Sequence, residues 1–355
     1  MTGMTDAGEA LQTPCVGPAV WRGGDLANNG EEWILRLSSY QLAEIDSAVK
    51  EARRRDLTLL KLTAGDFPLP TLAHELKRIA EVLEYGRGFV LVKGIPVEQL
   101  GESAVSAVFW GLGQYLGCPV PQNADGHMLG HVRDTGHSLA DPATRGYQTR
   151  AALPFHTDGA DLLALLSLRA PRAGGRISLV SSAAVHNEVL DRRPDLAERL
   201  YRTYFFDRRE EHAPEEAPYT TTPLAVRRDG ALSMRYNRCY LESAQRFPRI
   251  PRLEPVDVEL FDLIDDVAGS PDFRLDIDLR AGDLLLLNTH TIMHARTEFE
   301  DHDQPELKRH LLRLWLALPH RLRTDGAREG VTPRDVIRPR NAVSQAGTNP
   351  RRQLI

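Results

Sequence analysis

The stretch AGDLLLLNTHTIMHARTEF, residues 281–299, carries the reading on which the fold turns. Ala-Gly-Asp is a turn signal, and the four leucines after it are too short a run for a helix. A short apolar run opened by a turn predicts a buried strand. The run then gives way to a polar segment that holds His290 and His294. The same texture extends on both sides. From about residue 120 onward, short apolar runs alternate with clusters of Gly, Pro, Asp and Asn. They predict strands at 162–169, 176–182, 224–228, 231–236, 273–279, 283–288 and 309–318, the pattern of an all-β sandwich or barrel core. Helical interruptions are predicted at 184–204 and 255–268.

Upstream, the period changes. Residues 39–55 read as a helix, with Ser39 as N-cap and Leu42, Ile45 and Val49 at helical spacing. A second helix is predicted at 72–84, with Leu72, Leu76, Ile79, Ala80 and Leu83 on one side, stopped by Gly86 and Gly88. FVLVKGIP (89–96) predicts a strand and a turn, and 103–116 a third helix ended by Gly117. Residues 1–35 are Gly-rich and polar and predict an irregular segment. Residues 321–355 predict an irregular tail. No linker splits 36–320, which reads as a single α+β domain with an N-terminal helical layer on a β core.

Composition bounds the partners. The 355 residues are 42% hydrophobic and 26% charged, ordinary for a globular chain with a sizeable core. The net charge of −5 gives nucleic-acid binding no support. There is no run of about 18 apolar residues, so no membrane span is expected, and no basic-then-apolar leader, so secretion is not expected. Cys15, Cys118 and Cys239 are odd in number and far apart, which fits a reducing cytoplasm. The sequence is compatible with a homo-oligomer and does not specify one.

The chemistry begins at LPFHTD (153–158). On a strand, residues i and i+2 share a face, so His156 and Asp158 project together and Thr157 points away. Two histidines and a carboxylate on one face suit non-haem Fe(II) and leave coordination positions open. His290 or His294 would supply the missing ligand. In KRHLLRLWLALP (308–319), Arg309, Leu311, Arg313 and Trp315 share one strand face. Two arginines on such a face call for anionic partners. His127, His131 and His137 lie in a Gly-containing stretch whose spacing fits no single strand face, and read as a loop near the site's mouth. Tyr147 and Gln148, and Tyr236 and Asn237 of RYNRCY, are candidates for the substrate pocket. His186 and His310 read as packing or supporting residues.

Taken in order, H-T-D, the Gly-Gly turn of PRAGGRIS (171–178), N-x-x-x-H-x-R-x-x-F over 288–299, and Arg309 with Arg313 resemble the TauD/TfdA family of Fe(II)/2-oxoglutarate-dependent dioxygenases. The resemblance covers roughly residues 80–318. It implies a double-stranded β-helix core, the jelly-roll of cupins, flanked by N-terminal and inserted helices. It implies His156, Asp158 and His294 as iron ligands, with His290 a supporting residue. It implies Arg309 as the clamp for the distal carboxylate of 2-oxoglutarate, and Ser178 as that carboxylate's hydroxyl partner. It implies Arg313 as a holder of an anionic group on a small-molecule substrate. The family consumes O2 and releases succinate and CO2, and the presence of Asp158 implies hydroxylation or another oxidation in preference to halogenation. A zinc hydrolase and a non-catalytic cupin-like sensor are the rival readings.

Overall fold

The computed structural model describes residues 13–138, 144–212, 215–228 and 230–318. Two sheets face each other. Their strands, in chain order, are β1 (Ile34–Arg36), β2 (Phe89–Lys93), β3 (Cys118–Pro119), β4 (Leu129–Val132), β5 (Leu153–His156), β6 (Leu162–Arg169), β7 (Ile177–Ser181), β8 (Leu275–Ile277), β9 (Leu284–Asn288), β10 (Ile292–Arg296) and β11 (His310–Ala317). The large sheet runs β1-β2-β9-β6-β11-β3, with β4 also paired to β11. The small sheet runs β8-β7-β10-β5. All pairs are antiparallel except β1 with β2. This is a jelly-roll core of the cupin type within an α+β fold.

Strand alternation sorts the side chains into layers. Phe89, Leu91, Leu163, Leu165, Leu285, Leu287, Leu311 and Trp315 point inward from the large sheet and meet Ile177, Leu179, Ile277 and Ile292 of the small one. Their alternate neighbours Val90, Val92, Leu162, Leu166, Leu286, Leu312 and Leu314 point outward against helices. Those helices are α1 (Ser39–Arg54), α2 (Leu72–Tyr85) and α3 (Glu102–Leu116). On the far side, Val180 and Met293 of the small sheet pack on α4 (Ser182–Arg192) and α5 (Pro255–Gly269). Strands buried on both faces explain why LLLL and LLALLSL read as continuous apolar runs and not as alternating ones. Each fully buried leucine contributes about 1.5–3 kcal/mol.

The helices and most strands fall where the sequence places them. The cap of α1 is Ser38, not Ser39: its hydroxyl accepts from Gln41 N and the Gln41 side chain returns to Ser38 N. The expectation of an irregular segment over 1–35 is corrected for 13–35. Two short helical turns, Gly23–Ala27 and Gly30–Trp33, lead into β1, and Trp21, Leu26 and Trp33 are buried with the inner face. Both indoles pack on Phe89, with ring centroids at 5.2 and 5.8 Å. Gly23 N donates to Phe273 O, beside the edge strand β8, while β1 extends the edge of the large sheet at β2. The segment thus straps the two sheets together along one edge. Three aromatic or aliphatic anchors spaced among Gly and Asn carry no periodicity, so the pattern hides their burial. The predicted C-terminal tail, 321–355, lies outside the described residues.

Candidate active site

The polar segment after LLLLN is a tight connection and a strand. Asn288 turns it: its side chain donates to Leu83 O at 2.8 Å and accepts from His290 N at 2.9 Å. The chain re-enters as β10, paired with β7 and β5, and His294 stands directly opposite His156. Cross-strand partners on one face meet, and the two imidazole rings lie 4.3 Å apart. Asp158 follows just past the end of β5, with its Oδ1 3.8 Å from His156 Nε2. Between them Thr157 is buried on the other side, its N–H donating to Tyr236 O at 2.8 Å. The potential ligand atoms of His156, Asp158 and His294 all lie within 4.8 Å of one another.

The surroundings prepare these atoms for a cation. His156 Nδ1 meets Pro154 O at 2.8 Å, which makes Nδ1 the protonated nitrogen and leaves the Nε2 lone pair facing Asp158. Trp315 Nε1 donates to Asp158 Oδ2 at 3.1 Å, so Oδ1 is the oxygen turned toward His156. Burial pushes the His294 imidazole down to about 3, with His156 adding to the effect and Asp158 opposing it; the ring is therefore neutral, and its buried Nδ1 has no hydrogen-bond partner. Burial opposes ionisation of Asp158, but His294, Arg313, His156 and the Trp315 bond outweigh it and hold the carboxyl at about 2. Two imidazoles and a carboxylate on one face, with an orphaned ring nitrogen on His294, fit a divalent transition metal such as Fe(II).

These groups open on a cavity of about 310 Å³ between the sheets. His156, Asp158, His294, Arg309, Arg313, Tyr147 and Asn237 all line it. Arg309 comes from the residue before β11 and shares the inward face with Leu311, Arg313 and Trp315, as strand alternation requires. It is 3% exposed, and its Nη1 is buried without a partner. Its guanidinium lies 4.9 Å from the Phe299 ring, and Arg296 lies 5.0 Å from the same ring. Burial lowers the Arg309 guanidinium to about 9, with Arg296 adding and Asp301 opposing. The consecutive left-handed residues Gly174 and Gly175 make room here: a Cβ on Gly175 would stand 3.3 Å from Arg309 Nε. Arg313 is held by its Nε donating to Gln122 Oε1 at 2.6 Å, between the rings of Tyr147 and Trp315 at 4.6 and 4.8 Å.

Three expected residues are not brought to the cavity. Ser178 points the other way and donates to Asp276 Oδ1 at 2.6 Å; the cavity face of β7 belongs to Ile177. Two left-handed glycines reset the chain just before β7, so counting from the Gly-Gly turn gives the wrong phase. Tyr236 is fully buried, its hydroxyl donating to Asp265 Oδ1 at 2.8 Å. The Gln148 side chain turns back to accept from Arg145 N at 3.0 Å. His290 binds Asp161 at 2.9 Å and Ser233 at 2.7 Å, a supporting position behind the cavity. His186 is buried against Tyr201 at 2.7 Å.

The expected histidine loop is partly a strand. His131 lies in β4, its Nδ1 2.8 Å from His310 Nε2, while His127 pairs with Asn123 and His137 with Thr135. His131, His310 and Glu102 form a second group with ligand atoms within 4.8 Å. Arg169 Nη2 sits 3.0 Å from His310 Nδ1. A guanidinium only donates, so this Nδ1 accepts, Nε2 carries the proton, and that proton goes to His131 Nδ1.

Sequence reasoning passed over Arg145, Arg209, Tyr240 and Arg296, which also line the cavity. The first three stand on loops or at a short helix, where no period marks an inward side chain. Arg296 lay within the HART motif and donates from Nη2 to the carbonyls of Thr149 and Ala151.

Comparison with known proteins agrees with this geometry. The model of the family "Taurine catabolism dioxygenase TauD, TfdA family" matches residues 53–315. FR-33289 synthase of Streptomyces rubellomurinus is 30% identical over 314 residues, 87% of this chain and 91% of that protein. Among solved structures, asparagine oxygenase in complex with Fe(II), (2S,3S)-3-hydroxyasparagine and succinate is similar at a TM-score of 0.63 and 15% identity, over 80% of this chain and 93% of that one. The oxygenase OrfP, in complex with Fe, succinate and (3S)-hydroxy-L-Arg, is similar at a TM-score of 0.60 and 15% identity, over 80% and 94%. With the family model matching most of the chain, residues 53–315, this chain belongs to the TauD/TfdA family of non-haem iron, 2-oxoglutarate-dependent dioxygenases.

Proposed function

We propose that the protein hydroxylates a small anionic, amino-acid-derived molecule and couples this to conversion of 2-oxoglutarate and O2 into succinate and CO2. The metal group beside a buried, half-unpartnered arginine in one cavity carries the reading. His156, Asp158 and His294 hold Fe(II), which supplies the oxidising chemistry when bound. Arg309 takes the distal carboxylate of 2-oxoglutarate: its Nη1 lacks only an anionic acceptor. Ser178, the expected hydroxyl partner, is bonded to Asp276, and Ile177, which lines the cavity in its place, offers that carboxylate no side-chain hydrogen bond, so Arg309 carries the contact with Arg296 nearby. Arg313, locked between two aromatic rings, presents a cation to the substrate. Tyr147 and Asn237 line the same space.

The asparagine oxygenase and OrfP complexes hold hydroxylated amino acids, which supports an amino-acid-derived substrate here. A zinc hydrolase leaves the buried Arg309 unexplained, and a cupin-like sensor would show no substrate-dependent succinate release. No helix among the described residues is long and apolar enough to cross a membrane, and the three cysteines are unpaired, which supports a cytoplasmic home. Anaerobic Fe(II) plus 2-oxoglutarate should give a weak visible charge-transfer band, and a substrate screen should find succinate release that depends on the added compound. Reconstituted protein that gives neither signal would sink the reading.

A further inference from the structure

Besides Arg309, the cavity carries a second set of cations. Arg313 stacks on Tyr147 at 4.6 Å, and Arg145 and Arg209 stand over the Tyr240 ring at 5.1 and 6.0 Å. All five line the same cavity as His156, Asp158 and His294. We propose that this arc of guanidinium and phenol groups binds a phosphoryl group, phosphate or phosphonate, on the primary substrate. The inference rests on the reading of the cavity as a dioxygenase site and narrows its substrate class.

Charge balance gives the class. Arg145 pairs with Glu211 at 2.8 Å, and both side chains are nearly buried, at 13% and 11% exposure. That pair is neutral as a unit. Arg209 and Arg313 form no salt bridge among the described residues: the Arg209 guanidinium has one long bond to Thr144 O at 3.3 Å, and Arg313 has its bond to Gln122. Arg209 Nε is buried with no partner at all. The carboxylate whose charge reaches Arg313, Asp158, is given to the metal in this reading, so confining the two guanidinium groups is unfavourable until a further anion arrives. A carboxylate or sulfonate, with one charge, neutralises one guanidinium and is filled by a single fork. A phosphoryl dianion neutralises both, and its three oxygens accept from Arg209, Arg313 and the Tyr240 hydroxyl together.

The backbone supports a built site. Arg209 and Glu210 both sit in the left-handed region, at φ 53° and 64°, without being glycine. Two such residues in succession are strained, and strain of this kind gathers at ligand clamps. Here it is held by Arg209 N donating to Asp207 Oδ1 at 2.8 Å, and the Arg209 side chain lines the cavity.

The test uses the full chain loaded anaerobically with Fe(II) and saturating 2-oxoglutarate, with the visible band present. Methyl phosphate, methylphosphonate, methanesulfonate and acetate are titrated by calorimetry at pH 8. A phosphoryl probe should bind about ten-fold or more tighter than methanesulfonate and acetate; the tighter of the two phosphoryl probes tells a phosphate ester from a phosphonate. Arg209→Met should weaken phosphoryl binding about ten-fold with the band unchanged, and Arg209→Lys should recover part of it. Acetate or methanesulfonate binding as tightly as the phosphoryl probes, or Arg209→Met binding them like the native chain, overturns the proposal. If the band itself fails to form, the dioxygenase reading has failed; if it forms and no phosphoryl probe binds, this inference alone has failed.

Discussion

Two groups of three in the described residues bring metal-ligating atoms within 4.8 Å: His156, Asp158 and His294 in the cavity, and Glu102, His131 and His310 on the helical side of the large sheet. Distance does not separate them; the ring nitrogens do. In the second group Arg169 and the two histidines consume one another's donors and acceptors in a fixed order, leaving His310 no lone pair to offer. Burial, with His131 and the nearby arginines, lowers His310 to about 3, so it stays a neutral link in that chain. In the first group, Pro154 and Trp315 tie down the outward atoms of His156 and Asp158 and leave the inward ones for a metal. A metal site is thus defined by what its ligands are not already bonded to.

That contrast can be broken most directly by iron content. His156→Ala, Asp158→Ala or His294→Ala should drop bound iron and substrate-coupled succinate release to background, while Glu102→Gln keeps both. Iron loss in Glu102→Gln, or turnover in any of the first three, would erase the distinction. Arg309→Met should come next, raising the 2-oxoglutarate requirement about a hundred-fold by removing a buried charge partner; an unchanged requirement removes Arg309 from that role. Trp315→Phe keeps an aromatic, though smaller, side chain but deletes the bond to Asp158, and should weaken iron binding about ten-fold in a chelator competition. Smallest is His131→Ala. It strands the buried Nε2–H of His310 and should cost about 1–3 kcal/mol in urea unfolding without changing iron content.

The same contrast marks what the sequence can show. His156-x-Asp158 and Arg309-x-x-x-Arg313 are legible because a strand repeats every two residues, and each pair stays on one face. The buried runs of β6 and β9 are legible because both faces are covered. Ser178 is misread because Gly174 and Gly175 take left-handed conformations whose effect on strand phase cannot be counted from letters. His294 is identifiable only through the family motif, since its strand follows a connection that reads as polar loop. Arg145, Arg209 and Tyr240 escape because loops carry no period at all, and their convergence is a property of the closed cavity. The strand of His131 escapes because its Gly and His residues have little strand preference of their own; pairing with β11 imposes it.

The strap at residues 13–36 has a consequence for anyone who shortens the chain. The family match begins at residue 53, and a truncation drawn there would discard Trp21, Leu26, Trp33 and the edge strand β1. Phe89 and Leu91 would then face water along an open β2 edge, the geometry that recruits another chain. A chain that keeps Phe89 and Leu91 covered must therefore extend beyond the stretch that the family model matches, and a version cut at residue 53 should be lost to aggregation before its chemistry could be assayed.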